Sequence, residues 1–284
     1  MSITVLRALP ATTIQDLGRP GLLHLGVPRS GAADRPAALR ANRLVGNSDG
    51  AAVIEATLGS VTLRFEQDAS FALTGAPSPA RLDAGPAASG LTHAARAGQV
   101  LRLGMPSTGL RTYIAVAGGI AVELVLGSRS TDTLLGIGPP PLRAGDALMI
   151  GAARGDAAAA ASAHDLPAGR SVLEVVIGPR EDQLTAAALA TLLSERFTAT
   201  PQADRVGIRL AGPPLAWRDP GAHLPSEPVA PGSIQIPPDG QPIVLLVDHP
   251  SVGGYPVVAV LTDAALAFAA QLRPGRSVRF GAAG

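Results

Sequence analysis

The stretch RAGQVLRLG, residues 96–104, carries the pattern that decides the fold. It consists of an arginine, a short turn that ends in Gly98, and a strand of alternating apolar and polar residues followed by another glycine. The same arrangement returns as RAGDALMIG at 143–151 and as RPGRSVRFG at 273–281. One interpretation is a turn and strand common to any β protein. The other is that related barrel-like units each close with this hairpin.

Most of the remaining sequence is typical of short strands. SVTLRF (60–65) and ASFALTGA (69–76) alternate apolar with polar or small residues, whereas TYIAVAGGI (112–120), SVLEVVIGP (171–179) and QPIVLLVDH (241–249) are continuous apolar runs that predict strands covered on both faces. Only three helices are predicted, and each has its own start and stop signals. They lie within DRPAALRANRLVG (34–46), capped by Asp34, REDQLTAAALATLLSER (180–196), and TDAALAFAAQLRPG (262–275).

An alanine-rich stretch divides the chain near residue 160. ARGDAAAAASAHDLPAG (153–169) is low in complexity and poor in large apolar groups, as linkers and exposed excursions are. We therefore predict a mainly β protein with a few short helices and two domains, an N-terminal one at 1–155 and a C-terminal one at 170–284, joined by a linker at 156–169.

Composition excludes several kinds of chemistry. The net charge is +1 with no basic cluster, so no nucleic-acid partner is expected. The sequence has no cysteine, which excludes disulfides, a thiolate nucleophile and a cysteine-ligated metal. It has no lysine either, which excludes a Schiff base, a P-loop and a biotin attached to this chain. No apolar run is long enough to span a membrane, and we expect a cytoplasmic protein.

The usual catalytic signatures are missing. No serine stands in a G-x-S-x-G motif, and GIGPPP (136–141) lacks the helix that a dinucleotide fingerprint needs. The five histidines are scattered, without the short spacing of a metal-binding pair, so we predict no metal site. They are His24, His93, His164, His223 and His249.

Polar residues on loops rich in glycine and proline are the remaining candidates. They form three clusters: TIQDLGRPGLLHLGVPRSGAADR (13–35) with the helix after it, ADRVGIRLAGPPL (203–215), and the long segment from Leu224 to Pro256. For any single residue, turn capping or ion pairing is the alternative interpretation. An amide-shaped or carboxylate-shaped substrate would need such donors and acceptors at fixed positions.

At these clusters the sequence resembles the KipA-type family: the C subunit of bacterial 5-oxoprolinase, also called allophanate hydrolase subunit 2. The same module forms part of the carboxyltransferase domain of urea carboxylase. The resemblance rests on segments in family order, among them IQDLGRPGLLHLGVPRSGAADRPAALRANRLVGN (14–47), DRVGIRLAGPPL (204–215), SEPVAPGSIQIPPDGQPIVLLVDHPSVGGYP (226–256) and AQLRPGRSVRF (270–280). One departure is LLGIGPPPLR (134–143), where the family often has a glycine-rich run.

The resemblance implies two cyclophilin-like β-barrel domains. It also implies a complex with two further proteins, a KipI-type B subunit together with an A subunit. That complex uses ATP to open 5-oxo-L-proline, a small cyclic amide, to L-glutamate. In this reading the chain is one subunit of an ATP-dependent hydrolase and is inactive alone. Direct contact between ATP and this chain stays open.

Within this hypothesis we assign two sets of site residues, which we expect to line one recess. Four carboxylates would orient groups or move protons: Asp16, Asp34, Glu227 and Asp248. Eight further residues would bind substrate, the arginines by neutralising a carboxylate or phosphate: Arg19, Asn42, Arg129, Arg205, Ser226, Gln235, Tyr255 and Gln271.

Two alternatives remain open at the sequence level. The chain could be the carboxyltransferase component that moves a carboxyl group from carboxybiotin to a urea-like amide, with the biotin carrier on another protein. It could also be a non-catalytic, KipA-like regulator that binds a KipI-like partner.

Overall fold

The structure is a computed structural model that describes residues 2–153, 171–221 and 224–283. The linker predicted at 156–169 lies outside the described residues. The described chain forms two compact units. The first comprises residues 2–19, 30–132 and 136–153, and the second comprises 20–29, 133–135, 171–221 and 224–283. The sequence-based domain boundaries stay a prediction.

The described residues of the first unit form eleven strands and one helix. The strands are β1 (Ser2–Arg7), β2 (Thr12–Gln15), β3 (Val53–Thr57), β4 (Thr62–Phe65), β5 (Ala69–Gly75), β6 (Ala80–Leu82), β7 (Gly85–Pro86), β8 (Thr92–Ala95), β9 (Val100–Leu103), β10 (Arg111–Val116) and β11 (Ala147–Met149). One sheet has the order β11-β1-β4-β9-β6-β7, and the other has the order β2-β3-β10-β5-β8. A core of Val, Leu, Ile and Phe side chains from strands of both sheets packs together, with the rings of Phe65 and Phe71 stacked at 5.3 Å.

The helix α1 (Arg35–Leu44) covers the second sheet of this unit. Its alanines Ala37 and Ala41 pack against Tyr113 and Ala115 of β10, while Ile114 of the same strand belongs to the core shared with the other sheet. Every residue of β10 is therefore buried, as the continuous apolar run predicted. The predicted N-cap is also confirmed, because the Asp34 side chain accepts a hydrogen bond from the amide of Ala37.

The second unit is built around a closed barrel. Its strands are β12 (Val172–Ile177), β13 (Phe197–Ala203), β14 (Gly207–Ala211), β15 (Glu227–Pro228), β16 (Ser233–Gln235), β17 (Ile243–Leu245), β18 (Val252–Gly253), β19 (Val257–Leu261) and β20 (Ser277–Ala282). The barrel order is β12-β19-β16-β17-β14-β13-β20, and β20 closes it by pairing in parallel with β12. The strands β15 and β18 form a separate two-stranded ribbon.

The fold class is confirmed as mainly β with a few short helices. The three repeated turns are confirmed as well: Gly98, Gly145 and Gly275 all have positive φ, and each turn leads into a strand, β9, β11 or β20. No helix among residues 2–153, 171–221 and 224–283 is long and apolar enough to cross a membrane.

Two sequence predictions need correction in the second unit. The helix predicted over 180–196 is shorter, because α2 (Ala186–Ser194) begins after Thr185, whose side chain caps Ala188 N, while residues 181–183 form a 3-10 turn. The run 171–179 is not covered on both faces. As a barrel strand, β12 buries Leu173 and Val175 and leaves Val176 59% exposed. The third helix, α3 (Asp263–Ala269), begins after its Thr262 cap as predicted.

Candidate functional site

Asp16 is the centre of a buried polar cluster in the first unit. Its carboxylate accepts hydrogen bonds at 2.5–2.8 Å from the amides of Gly18 and Arg129 and from the hydroxyls of Ser128 and Ser130. A carboxylate with this many donors is strongly fixed, and it fixes the loop that supplies them. Asp16 therefore holds the loop around residue 129 against the end of β2.

Arg19 lies in the same cluster and is directed at protein backbone. Its side chain is 1% exposed, and its guanidinium donates to the carbonyl oxygens of Ser130 (2.5 Å) and Val125 (3.4 Å). Gly138 completes this arrangement, since a Cβ there would overlap the carbonyl oxygen of Ser130. In this structure Arg19 thus binds the 125–130 loop, and its role in substrate binding stays a prediction.

Arg129 differs from Arg19 because it faces a pocket. A pocket of roughly 270 Å³ is lined by the loop after α1, the turn after β10, the segment after β11 and Arg129. The Arg129 backbone amide donates to Asp16, and its Nε donates to the carbonyl oxygen of Val122 at 2.8 Å. These two bonds set the direction of the guanidinium, which is the single charged side chain among the described residues that line the pocket.

The pocket walls depend on two asparagines and a pair of glycines. Asn42 donates to the carbonyl oxygen of Ala51 (2.8 Å) and accepts from Asn47 (3.1 Å), and Asn47 in turn accepts from the amide of Gly118 (2.8 Å). The backbones of Gly118 and Gly151 cross so closely that a Cβ on Gly118 would overlap the carbonyl oxygen of Gly151. In this structure Asn42 orders the walls of the pocket, and it is not among the residues that line it.

A second buried cluster lies where α1 meets β10. The amide of Asp34 donates to the hydroxyl of Tyr113 (2.7 Å), which donates to Glu55 (2.8 Å). Burial and the Glu55 carboxylate raise the pKa of Tyr113 well above its ordinary value of 10.0, so the phenol stays neutral and remains a donor. Arg111 forms an ion pair with Glu55, with 3.4 Å between Nε and Oε1.

In the second unit, Asp248 and Arg205 form a buried bidentate pair. The Nε and Nη2 of Arg205 donate to the two carboxylate oxygens of Asp248 at 2.9 and 3.0 Å. Asp248 also accepts from the amide (2.9 Å) and the hydroxyl (2.8 Å) of Thr133. The pair thus anchors the 133–135 segment within this unit.

The two-stranded ribbon of the second unit carries Glu227. Arg180 makes a bidentate ion pair with it, with both Glu227 oxygens 3.1 Å from the Arg180 Nε. The hydrogen bond from Arg180 holds the pKa of the Glu227 carboxyl below its ordinary value of 4.5. Glu227 is therefore ionised at neutral pH, and the pair is partly exposed to solvent.

Three predicted binding residues lie near this ribbon. Gln235 is buried and donates to the carbonyl oxygen of Tyr255 at 3.1 Å, and Tyr255 itself is 44% exposed. Ser226 is exposed, and its hydroxyl would lie 3.8 Å from a Cβ on Gly254. Gln271 lies apart from them, buried just after α3.

The structure brings together some predicted residues and separates others. Asp16, Arg19 and Arg129 form one cluster, Arg205 and Asp248 another, and Ser226, Glu227, Gln235 and Tyr255 a third. Asp34 and Asn42 lie at opposite ends of α1, where Asp34 caps the helix and Asn42 contacts the pocket loop. The catalytic and binding roles of these residues, and a recess common to all of them, stay predictions.

Sequence reasoning missed several residues that complete these clusters. They are Arg180, which pairs with Glu227, and Arg111, Tyr113, Ser128 and Ser130. Tyr113 and Arg111 were hidden in an apolar strand. The signal for Arg180 in the sequence is its position directly after Gly178 and Pro179. Within the described ranges, no group of three or more His, Cys, Asp or Glu side chains could hold a metal ion.

The sequence and the fold match a known protein class. The family described as carboxyltransferase domain, subdomain A and B, matches residues 25–282, and the chain belongs to this family. The resemblance seen in the sequence is confirmed by relatives that are named as the C subunit of 5-oxoprolinase. The one from Escherichia coli (strain K12) is 39% identical over 98% of this chain and 90% of its own length. The one from Haemophilus influenzae is 34% identical with the same coverage.

More distant relatives are longer proteins. Urea amidolyase of Saccharomyces cerevisiae is 30% identical over 95% of this chain, which covers 16% of that protein. Among solved structures, that of TTHA0988 is 36% identical with a TM-score of 0.89 over 98% of this chain. The chain spans about half of the TTHA0988 polypeptide, 55% of its length.

Proposed function

We propose that the chain is the C subunit of a 5-oxoprolinase, a complex that uses ATP to open 5-oxo-L-proline to L-glutamate. One observation carries this proposal: the 39% identity to the Escherichia coli relative extends over 98% of this chain and 90% of that protein. A match that includes nearly all of both chains supports the same role in the same kind of assembly.

The chemistry explains why ATP and several proteins would be needed. A five-membered lactam is a weak electrophile, so we propose that its oxygen is phosphorylated by ATP, which releases ADP. One water then adds to the activated carbon and the C–N bond breaks, which leaves the γ-carboxyl group as an acyl phosphate. A second water hydrolyses this acyl phosphate, so that inorganic phosphate leaves and L-glutamate is formed. Fixed cations stabilise the negative charge that develops in such steps. Arg129, which is held toward a pocket, is the cation in the first unit best placed for an anionic substrate.

Under this proposal, we expect the chain to be inactive by itself. Its partners would be a KipI-type B subunit together with an A subunit, which supply the ATP-dependent step and the hydrolysis. The length of TTHA0988 supports a partner, because nearly half of that polypeptide lies outside the match and could supply a neighbouring protein in fused form.

The experiment is reconstitution from purified proteins. The chain is mixed with purified A and B subunits of a 5-oxoprolinase, ATP and 5-oxo-L-proline, and L-glutamate is measured. The proposal predicts glutamate only when all three proteins and ATP are present. Omission of this chain is the matched control. Absence of glutamate from every combination would overturn the proposal.

The second candidate is carboxyl transfer to a urea-like amide. The description of the matching family and the 30% identity to urea amidolyase favour it. Because the chain has no lysine, biotin would have to arrive on a separate carrier. Carboxylation of urea by a complex that contains a biotinylated protein, with no turnover of 5-oxo-L-proline, would select this candidate over the first.

A further inference from the structure

We propose that the Arg129 pocket of the first unit is a binding subsite for a small carboxylate. The class of ligand follows from the pocket itself. The particular ligand, the carboxylate of 5-oxo-L-proline, rests on the proposed function.

The charge of the pocket fits a monoanion. Arg129 is the single charged side chain among the described residues that line it, and none of these lining residues is acidic. One guanidinium balances one negative charge and can hold a carboxylate through two parallel hydrogen bonds. A phosphate of charge near −2 would retain excess negative charge here.

The guanidinium is held in place but is still available. The Arg129 Nε donates a hydrogen bond to the carbonyl oxygen of Val122, and the Arg129 backbone amide donates one to Asp16. Among the described residues, no protein acceptor forms a hydrogen bond with its two terminal nitrogens. Arg19 and Arg205, in contrast, direct their terminal nitrogens at Ser130 and Asp248. Preorganisation of this kind lowers the entropic cost of binding.

The size and walls of the pocket select a small ligand. Its volume of roughly 270 Å³ lies close to the lower end of the range of about 300–1,000 Å³ that is typical of ligand pockets, which fits a small ligand. Ile120, Ala121 and Ala51 contribute apolar surface to a lining that is otherwise mostly polar, and Ser48 lines the same pocket. These features fit a compact carboxylic acid such as a five-membered lactam acid.

The test measures ligand binding to the full chain by calorimetric titration. The probes are 5-oxo-L-proline and 2-pyrrolidinone, which is the same lactam without the carboxylate, together with inorganic phosphate and ATP. The variants are Arg129→Gln and Ala121→Leu, which fills the pocket and keeps the charge. Arg102→Gln, on the exposed face of β9, is the matched control for loss of one arginine. Thermal melting confirms that each variant is folded.

We expect the native chain to bind 5-oxo-L-proline, and to bind 2-pyrrolidinone at least tenfold more weakly. Arg129→Gln and Ala121→Leu should each weaken binding of 5-oxo-L-proline at least tenfold, and Arg102→Gln should not change it. Binding that is equal in the native chain and in Arg129→Gln would overturn the inference. So would tighter Arg129-dependent binding of phosphate or ATP, or no binding of 5-oxo-L-proline to the native chain.

A kinetic measurement separates this inference from the proposed function. In the reconstituted complex, Arg129→Gln should raise the KM for 5-oxo-L-proline at least tenfold and leave the KM for ATP unchanged. Normal glutamate formation with an unchanged KM in Arg129→Gln would overturn the subsite and leave the function intact. If the chain binds 5-oxo-L-proline through Arg129 but its complex never forms glutamate, the subsite is supported and the proposed function is overturned.

Discussion

The Asp16 carboxylate connects the end of β2 with a loop more than a hundred residues further along the chain. Its donors at Ser128, Arg129 and Ser130 lie on the loop that directs the Arg129 side chain. Because the carboxylate is 8% exposed, little water is available to replace these bonds. At the residue scale, Asp16 is therefore a positioning residue for the Arg129 pocket.

Replacement of Asp16 by asparagine should destabilise the chain. The amide group cannot accept hydrogen bonds at both of its ends, so buried donors lose their acceptor, at a cost of about 2 kcal/mol or more in the free energy of unfolding. Asp146→Asn is the control, because that partly exposed carboxylate caps a turn by accepting from the Arg143 amide. Denaturant unfolding measures both variants. Equal stability of Asp16→Asn and the native chain would show that the cluster does not depend on the charge.

The sequence predicted Asp16, Arg19 and Arg129 as site residues, but it did not predict which of the two arginines faces a pocket. Asp16 and Arg19 were predicted from the polar loop at 13–35, whereas Arg129 was assigned through the family resemblance. Which arginine faces a pocket depends on turn geometry, because Arg19 meets the carbonyl oxygens of Ser130 and Val125 and Arg129 does not. Residue type alone contains no information about such distances. The same limit applies to Glu227, whose partner Arg180 is 47 residues away.

At the element scale, α1 is attached to the second sheet by a buried chain of hydrogen bonds. The Tyr113 hydroxyl accepts from the Asp34 amide at the start of α1 and donates to Glu55 on β3. Sequence reasoning predicted the helix, its cap and the buried strand β10, because each has a local signal. It did not predict this connection, since a tyrosine in an apolar strand is usually a packing residue.

Tyr113→Phe should lower the free energy of unfolding by about 1–3 kcal/mol, because the Asp34 amide loses its acceptor and Glu55 loses a donor. The only other tyrosine, Tyr255, is exposed and gives a matched control. Tyr255→Phe should change stability by less than about 0.5 kcal/mol. Chemical denaturation of the two variants side by side decides the point, and similar effects from both would contradict this account of α1.

Two glycines with the same sign of φ should respond differently to substitution. Gly98 has a φ of +84° and no atom near its missing Cβ, so Gly98→Ala should cost about 1–2 kcal/mol for backbone conformation alone. Gly118 has a φ of +95°, and its Cβ would overlap Gly151, so Gly118→Ala should cost at least about 1–3 kcal/mol more. Unfolding midpoints of the two variants measure the difference. Equal losses would mean that the close glycine crossing beside the pocket is not required.

At the scale of the whole molecule, the sequence predicted a mainly β chain and its family. The repeated turn-and-strand segments predicted a β protein, and the closed barrel of the second unit confirms that class. The family segments that follow one another in order predicted the family. Strand exposure was harder to predict, as β12 shows with its open outer face. A barrel strand and a strand between two layers can have similar apolar composition, and only the tertiary arrangement distinguishes them.

At the scale of the whole molecule, the function that we propose depends on other proteins. The chain has no cysteine or lysine nucleophile and no G-x-S-x-G motif, and its buried carboxylates Asp16 and Asp248 anchor loops within their own units. Its contribution, as we propose it, is to hold the substrate in a fixed orientation while ATP-dependent activation takes place in the complex.

The most direct test is the rate of L-glutamate formation from 5-oxo-L-proline and ATP by the two partner proteins, measured with and without this chain. The account predicts glutamate production that depends on the chain and saturates once the chain matches its partners in amount. A rate that is the same with and without the chain, or zero in both cases, would contradict it.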